Sequence, residues 1–260
     1  MITKTRLSIE NQIARLTLCH PEKHNAFDDQ VIAELRAHLH QLRQSSDVRV
    51  MLLDAEGKHF CAGADLAWMK RMAQLSEAEN LKDARQLAAL MSDLYNLPIP
   101  TLVAVDGAAY GGATGLIACC DIAIASESAR FCLSEVKLGL APATIGPYVV
   151  SAMGARRCAK LFMTAEVFSA GQAEQFGLLH ECVAHEELAS AVERTLSQLL
   201  LAGPKASRAA KQLIRACIPP FDSNLAETTS QLIASLRVSD EGQEGLSAFF
   251  EKRPANWVKH

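Results

Sequence analysis

No stretch of this chain holds the roughly 20 consecutive apolar residues that a membrane span requires, so no membrane partner is expected. Nor does the segment Met1 to Ile9 have the apolar core of a signal peptide or the Arg- and Ser-rich character of a transit helix. Basic residues are not in excess. The 26 Lys and Arg stand against 29 Asp and Glu, a net charge of −3, which implies no broad basic face for nucleic acid. The eight cysteines include no CxxC pair, and Cys119 and Cys120 are adjacent, an awkward geometry for mutual bonding. They read as reduced, mostly buried thiols of a cytoplasmic protein. Also missing are GxxxxGKS or GxxxxGKT, HExxH and GxSxG, which removes the commonest nucleotide, zinc-protease and serine-hydrolase readings. Gly111-Gly112-Ala113-Thr114-Gly115 lacks the GxGxxG order at the opening of a βαβ unit, so NAD is not expected.

With 260 residues the chain is long enough for one large domain, or for one domain with a smaller appendage. A chain of this size buries about three quarters of its unfolded surface and requires no disulfide or metal staple. Ala14, Leu16 and Leu18 alternate with Arg15 and Thr17 behind a turn at Asn11-Gln12, which predicts a hairpin. Asp28 can cap a helix carrying Val31, Leu35, Leu39 and Leu42 on one face, and Val50–Leu53 then completes a β–α–β unit. Ser76-x-x-Glu79 is a capping-box signature ahead of a second amphipathic run that Pro98 and Pro100 stop. Thr101–Val105 and a helix from about Gly112 form another unit, and Asp121–Ala125 is a further buried-strand candidate. Beyond about Pro142 the pattern becomes helix after helix, with Pro204 at a helix start and Pro219-Pro220 between two helices. Leu232, Leu236, Phe249 and Phe250 in that region must pack on the core or on another subunit.

What is present in abundance is small residues at two turns. Cys61-Ala62-Gly63-Ala64-Asp65 and Gly107-Ala108-Ala109-Tyr110-Gly111-Gly112 each follow a short apolar run and precede a helical stretch. Such junctions leave backbone N–H groups free, and Gly or Ala lets a ligand oxygen approach them closely. Two turns giving one N–H each could hold a single oxyanion, the arrangement that stabilises a thioester enolate. Taken alone, either turn is more often plain tight packing.

Glu135 is the acid of interest. Phe131-Cys132-Leu133-Ser134 and Val136 around it would desolvate its carboxylate and raise its pKa, as a proton shuttle needs. The plain alternative is a carboxylate turned to solvent or capping a short helix. His180-x-Cys182-x-x-His185 and the group Cys19, His20 and His24 are incomplete as zinc sites, so no metal is expected. Lys70, Arg71, Lys252 and Arg253 are ordinary solvated charges unless an anion is placed nearby.

These segments together resemble the crotonase, or enoyl-CoA hydratase/isomerase, superfamily over essentially the whole chain. The matching stretches are Pro21-x-x-x-Asn25-Ala26-Phe27, Phe60 to Leu66, Pro100 to Gly107, Gly111-Gly112, Cys120 to Ala125, Phe131 to Gly139 and Phe250 to Pro254. The resemblance implies an α/β protein with a ββα-spiral core (1–200) and a C-terminal helical trimerisation region (201–260). It implies a homotrimer or dimer of trimers acting on an acyl-CoA thioester, with coenzyme A arriving as part of the substrate and no other cofactor. Carried over by position, the N–H groups of Ala64 and Gly112 form the oxyanion hole and Glu135 handles the α-carbon proton. Ala62 lies beside the CoA adenine with Asp65 and Leu66 in the same binding segment, while Phe249 and Lys252 line the acyl/CoA site, Lys252 across a subunit boundary.

One departure matters. Hydratases of the family with two catalytic glutamates have the first where this chain has Gly115, which leaves room that substrate could occupy. Isomerases of the family manage with one acid at the Glu135 position. Gly63–Lys70, Ile117–Asp121 and Phe131–Leu140 look like bacterial methylglutaconyl-CoA hydratases of leucine breakdown and the related carboxygeranoyl-CoA hydratases. The expected activity is therefore hydration of a branched enoyl-CoA, with Δ3,Δ2-enoyl-CoA isomerisation and non-catalytic acyl-CoA binding as the alternatives. A dicarboxylic acyl group also needs a cation, and Lys70, Arg71 and Lys137 are the candidates by proximity in sequence.

Overall fold

The computed structural model describes residues 3–218 and 221–258. The chain opens with the hairpin β1 (Thr5–Glu10) and β2 (Ile13–Leu18), turned by Asn11 and Gln12 in the left-handed region. α1 (Asp29–Gln44) follows, capped by Asp28, whose Oδ1 accepts the Val31 N–H at 2.9 Å. Its apolar face, Val31, Ile32, Leu35, Leu39 and Leu42, is buried, as the 3.6-residue spacing predicts.

Next come β3 (Val50–Ala55), α2 (Leu66–Ala73), α3 (Glu77–Tyr95), β4 (Thr101–Val105), β5 (Ala108–Tyr110), α4 (Gly112–Cys119), β6 (Ile122–Ser126) and β7 (Arg130–Cys132). A 3₁₀ turn (Glu135–Leu138) leads into α5 (Gly146–Met153) and α6 (Ala155–Thr164). The chain continues through β8 (Phe168–Ser169), α7 (Ala170–Phe176), β9 (Glu181–Val183), α8 (Leu188–Leu201), α9 (Pro204–Ala216), α10 (Ser223–Val238) and α11 (Asp240–Glu251).

The main sheet has the order β1-β2-β3-β4-β6-β9, parallel throughout except for the β1–β2 hairpin. A smaller sheet, β5-β7-β8, lies beside it. This is the α/β spiral expected, with two differences. The segment after Pro142 is not purely helical, because β8 and β9 add an edge strand to each sheet. The second small-residue turn contains a strand, β5, which Gly107 and Gly111 bracket at positive φ. A side chain at Gly107 would place its Cβ 2.1 Å from the Lys58 carbonyl oxygen, so only glycine fits this crossing.

The C-terminal helices pack on the core. α10 lies against α3, and α11 against the 3₁₀ turn. α9 is fixed by Lys211 and Arg215, which reach Asp121 at 2.6 Å and 3.0 Å. Leu213, Ile214 and Leu232 nevertheless stay exposed. The expected breaker Pro219-Pro220 lies outside the described residues. Among the described residues no helix is long and apolar enough to cross a membrane.

Candidate active site

The two small-residue turns are joined directly. The Cys61 N–H donates to the Ala108 carbonyl at 2.9 Å, and the Tyr110 N–H donates to the Cys61 carbonyl at 3.0 Å. Beside them, the left-handed residues His24 and Asn25 swing Phe27 against the first turn. The Asn25 side chain ties this loop down by donating to the carbonyls of Glu56 and His59 at 2.8 Å and 2.9 Å. Phe27 then donates to the Gly63 carbonyl at 2.8 Å and accepts from the Asp65 N–H at 2.7 Å. This parallel bridge uses the residues on either side of Ala64 and leaves the Ala64 N–H without a protein acceptor among the described residues. Across the junction, Gly111 donates to the Cys132 carbonyl at 2.9 Å, while Gly112 opens α4 with an N–H that the helix itself cannot satisfy. Both free donors line one cleft of about 360 Å³.

Glu135 lines the same cleft. It begins the 3₁₀ turn that follows β7, and β7 pairs with β5, so sheet register sets the acid beside the second turn. A Cβ at Gly111 would lie 3.3 Å from Glu135 Oε1. The residue as a whole is only half-buried, but its Oε2 is sealed and has no hydrogen-bond partner. Burial among apolar neighbours pushes the carboxyl up to about 7, opposed by a bond from its own backbone N–H. An acid so placed can hold or release a proton at neutral pH.

Ala62, Leu66 and Phe249 also line the cleft. Asp65 does not: its Oδ1 caps α2 by accepting the Trp68 N–H at 2.9 Å. Lys252 is likewise not brought to the cleft of its own chain, and instead ends α11 as an exposed left-handed residue. None of the three cations expected near the acyl group reaches the cleft. Lys70 sits over the Phe250 ring at 5.1 Å, Arg71 pairs with Asp29 at 3.0 Å, and Lys137 is exposed. The cation that does line it is Arg237, from α10. No local pattern in the sequence marks it, because its position depends on how α10 lies on α3.

The space above Gly115, expected to be open to substrate, is filled by protein. Substrate does not have it, because a Cβ at this position would lie 2.3 Å from Ile145 Cγ2 and 3.3 Å from Met91 Sδ. Of the incomplete metal clusters, His180 Nδ1 accepts the Ala123 N–H at 3.1 Å and His185 pairs with Asp106 at 2.9 Å. Those contacts hold β6, β9 and the end of β4 together.

The enoyl-CoA hydratase/isomerase family model matches residues 8–260. An enoyl-CoA hydratase structure from Shewanella pealeana is 44% identical with a TM-score of 0.81, covering 98% of this chain and 96% of that one. The crotonyl-CoA hydratase of Syntrophomonas wolfei is 28% identical over 97% of this chain and 96% of its own length. The trans-2-decenoyl-[acyl-carrier-protein] isomerase of Streptococcus mutans is also 28% identical, over 95% of this chain and 94% of its own. This chain therefore belongs to the enoyl-CoA hydratase/isomerase family.

Proposed function

We propose that the protein hydrates an α,β-unsaturated branched acyl-CoA, with 3-methylglutaconyl-CoA to 3-hydroxy-3-methylglutaryl-CoA as the leading candidate, using one glutamate for both proton transfers. The observation that carries this reading is the Glu135 carboxyl, whose Oε2 is buried and unpartnered, in the cleft that the free Ala64 and Gly112 N–H groups also line. The thioester oxygen would accept both N–H bonds, which draws electron density from the alkene and exposes the β-carbon to water. Glu135 takes a proton from that water as its oxygen bonds to the β-carbon, and then gives the proton to the α-carbon. Both transfers use one carboxylate, so water and proton add to the same face of the alkene. Loss of one such backbone donor typically costs about 10²–10³ in rate, so the two N–H groups carry a large share of the catalysis.

Family resemblance of Gly63–Lys70 and Phe131–Leu140 supports the branched substrate, and so does the mostly aliphatic lining from Met72, Leu87, Leu140 and Ile233. The single acid and the likeness to an acyl-carrier-protein isomerase favour a second reading, migration of a double bond by the same glutamate. Product analysis after incubation with 3-methylglutaconyl-CoA, crotonyl-CoA and a Δ3-enoyl-CoA separates them. A 3-hydroxyacyl product, formed fastest from the branched substrate, supports the proposal; movement of the double bond with no water uptake defeats it. The exposed Leu213, Ile214 and Leu232 support self-association, and the family resemblance makes a homotrimer or dimer of trimers the proposed form.

A further inference from the structure

Among the described residues, the cleft lining holds two charged side chains, Glu135 and Arg237. An arginine in a mostly apolar wall is costly to desolvate and needs partners. Arg237 Nη1 donates to Asp83 Oδ2 at 2.9 Å and reaches Asn80 Oδ1 at 3.4 Å. The guanidinium also lies 5.7 Å from the Trp68 ring. Asn80 is fully buried, and its Nδ2 is spent on the carbonyls of Met72, Leu75 and Ser76 at 3.1–3.2 Å, so its oxygen is fixed toward the arginine. The side chain is thus held in one orientation from α2 and α3 before any ligand arrives.

All of these polar contacts fall on Nη1. Nε and Nη2, which form the side-on edge of the fork, donate to no protein acceptor among the described residues. That edge matches the two oxygens of a carboxylate, and Arg is suited to such paired bonds because its fork is rigid and always charged. We propose that the side-on edge of Arg237 receives a carboxylate at the far end of the acyl chain, making it the residue that selects dicarboxylic over monocarboxylic acyl-CoA. Asp83 offsets the charge of Arg237 and repels an incoming anion, so the selectivity rests on paired hydrogen bonds more than on net charge. The inference depends on the cleft being the acyl-CoA site, but not on whether the chemistry is hydration or isomerisation.

Calorimetric binding of glutaryl-CoA and butyryl-CoA tests it, since neither saturated chain can be hydrated. Wild-type protein is expected to bind glutaryl-CoA about 10- to 100-fold more tightly, the range of a charge-assisted pair. In the charge-neutral double variant Arg237→Gln with Asp83→Asn the ratio should fall to near one. The single variant Asp83→Asn leaves Arg237 in place, removes the competing acid and should raise the ratio, a change that an arginine merely bracing α10 against α3 would not produce. Equal affinities in the wild type, or a preference undiminished in a folded double variant, overturns the selector role. If the wild type binds neither compound, the acyl-CoA reading of the cleft falls and takes this inference with it.

Discussion

At the residue scale the proposed function rests on Glu135. Replacing it with Gln removes the proton carrier and leaves the backbone donors, so hydration should drop by at least the ~10²–10⁴-fold typical of general acid–base catalysis. Acyl-CoA affinity should stay nearly unchanged in the same variant. The raised carboxyl also links to stability. Its value lies near 7 in the folded chain against 4.5 when exposed, so the native state binds more protons between those limits and stability falls as pH rises through them. That cost amounts to roughly 3 kcal/mol once both states are ionised. Thermal unfolding of Glu135→Gln against wild type should therefore show a gain at pH 8 that vanishes at pH 4. The rate should show the complementary dependence: kcat/KM for hydration rises through about pH 7, as the carboxylate that accepts the water proton forms. Gly115 gives the opposite kind of residue effect. With Ile145 Cγ2 only 2.3 Å from a Cβ there, even Gly115→Ala overpacks the site, and denaturant unfolding should report a loss of about 1–3 kcal/mol. Gly115→Glu adds a buried charge to the same clash and cannot rebuild a two-acid site.

At the scale of elements, what could be read from the sequence was whatever one element settles alone. Asp28 and Ser76 announce the starts of α1 and α3 because a cap is a contact within three residues. The two turns were legible as donors, but not that they hydrogen-bond to one another. Nor was β5 legible, since three residues between two glycines carry no period to read. The occupant of the Gly115 space comes from the start of α5, and Arg237 from α10; neither could be placed without knowing how those helices pack. The clamp on α9 is of the same kind. Asp121 holds the Thr101 N–H and hydroxyl on one side and Lys211 and Arg215 on the other. Burial lowers the Lys211 pKa, and Asp121 works against that shift. Asp121→Ala would leave two mostly buried cations unpaired, and chemical denaturation should show a loss of about 3 kcal/mol or more.

At the scale of the whole molecule, one surface and one reaction remain. The family resemblance implies three or six copies of the 28.2 kDa chain, and the outward Leu213 and Ile214 on α9 and Leu232 on α10 are apolar surface that such an assembly would cover; light scattering checks the copy number. A monomer at micromolar concentration would remove that proposal. The central claim is that this cleft adds water, and the most direct measurement is mass spectrometry of the product formed from 3-methylglutaconyl-CoA in oxygen-18 water. Hydration by the wild-type chain predicts a 3-hydroxyacyl-CoA carrying one oxygen-18 at the β-carbon, lost in Glu135→Gln. A product with a shifted double bond and no label, or undiminished labelling in Glu135→Gln, would contradict it.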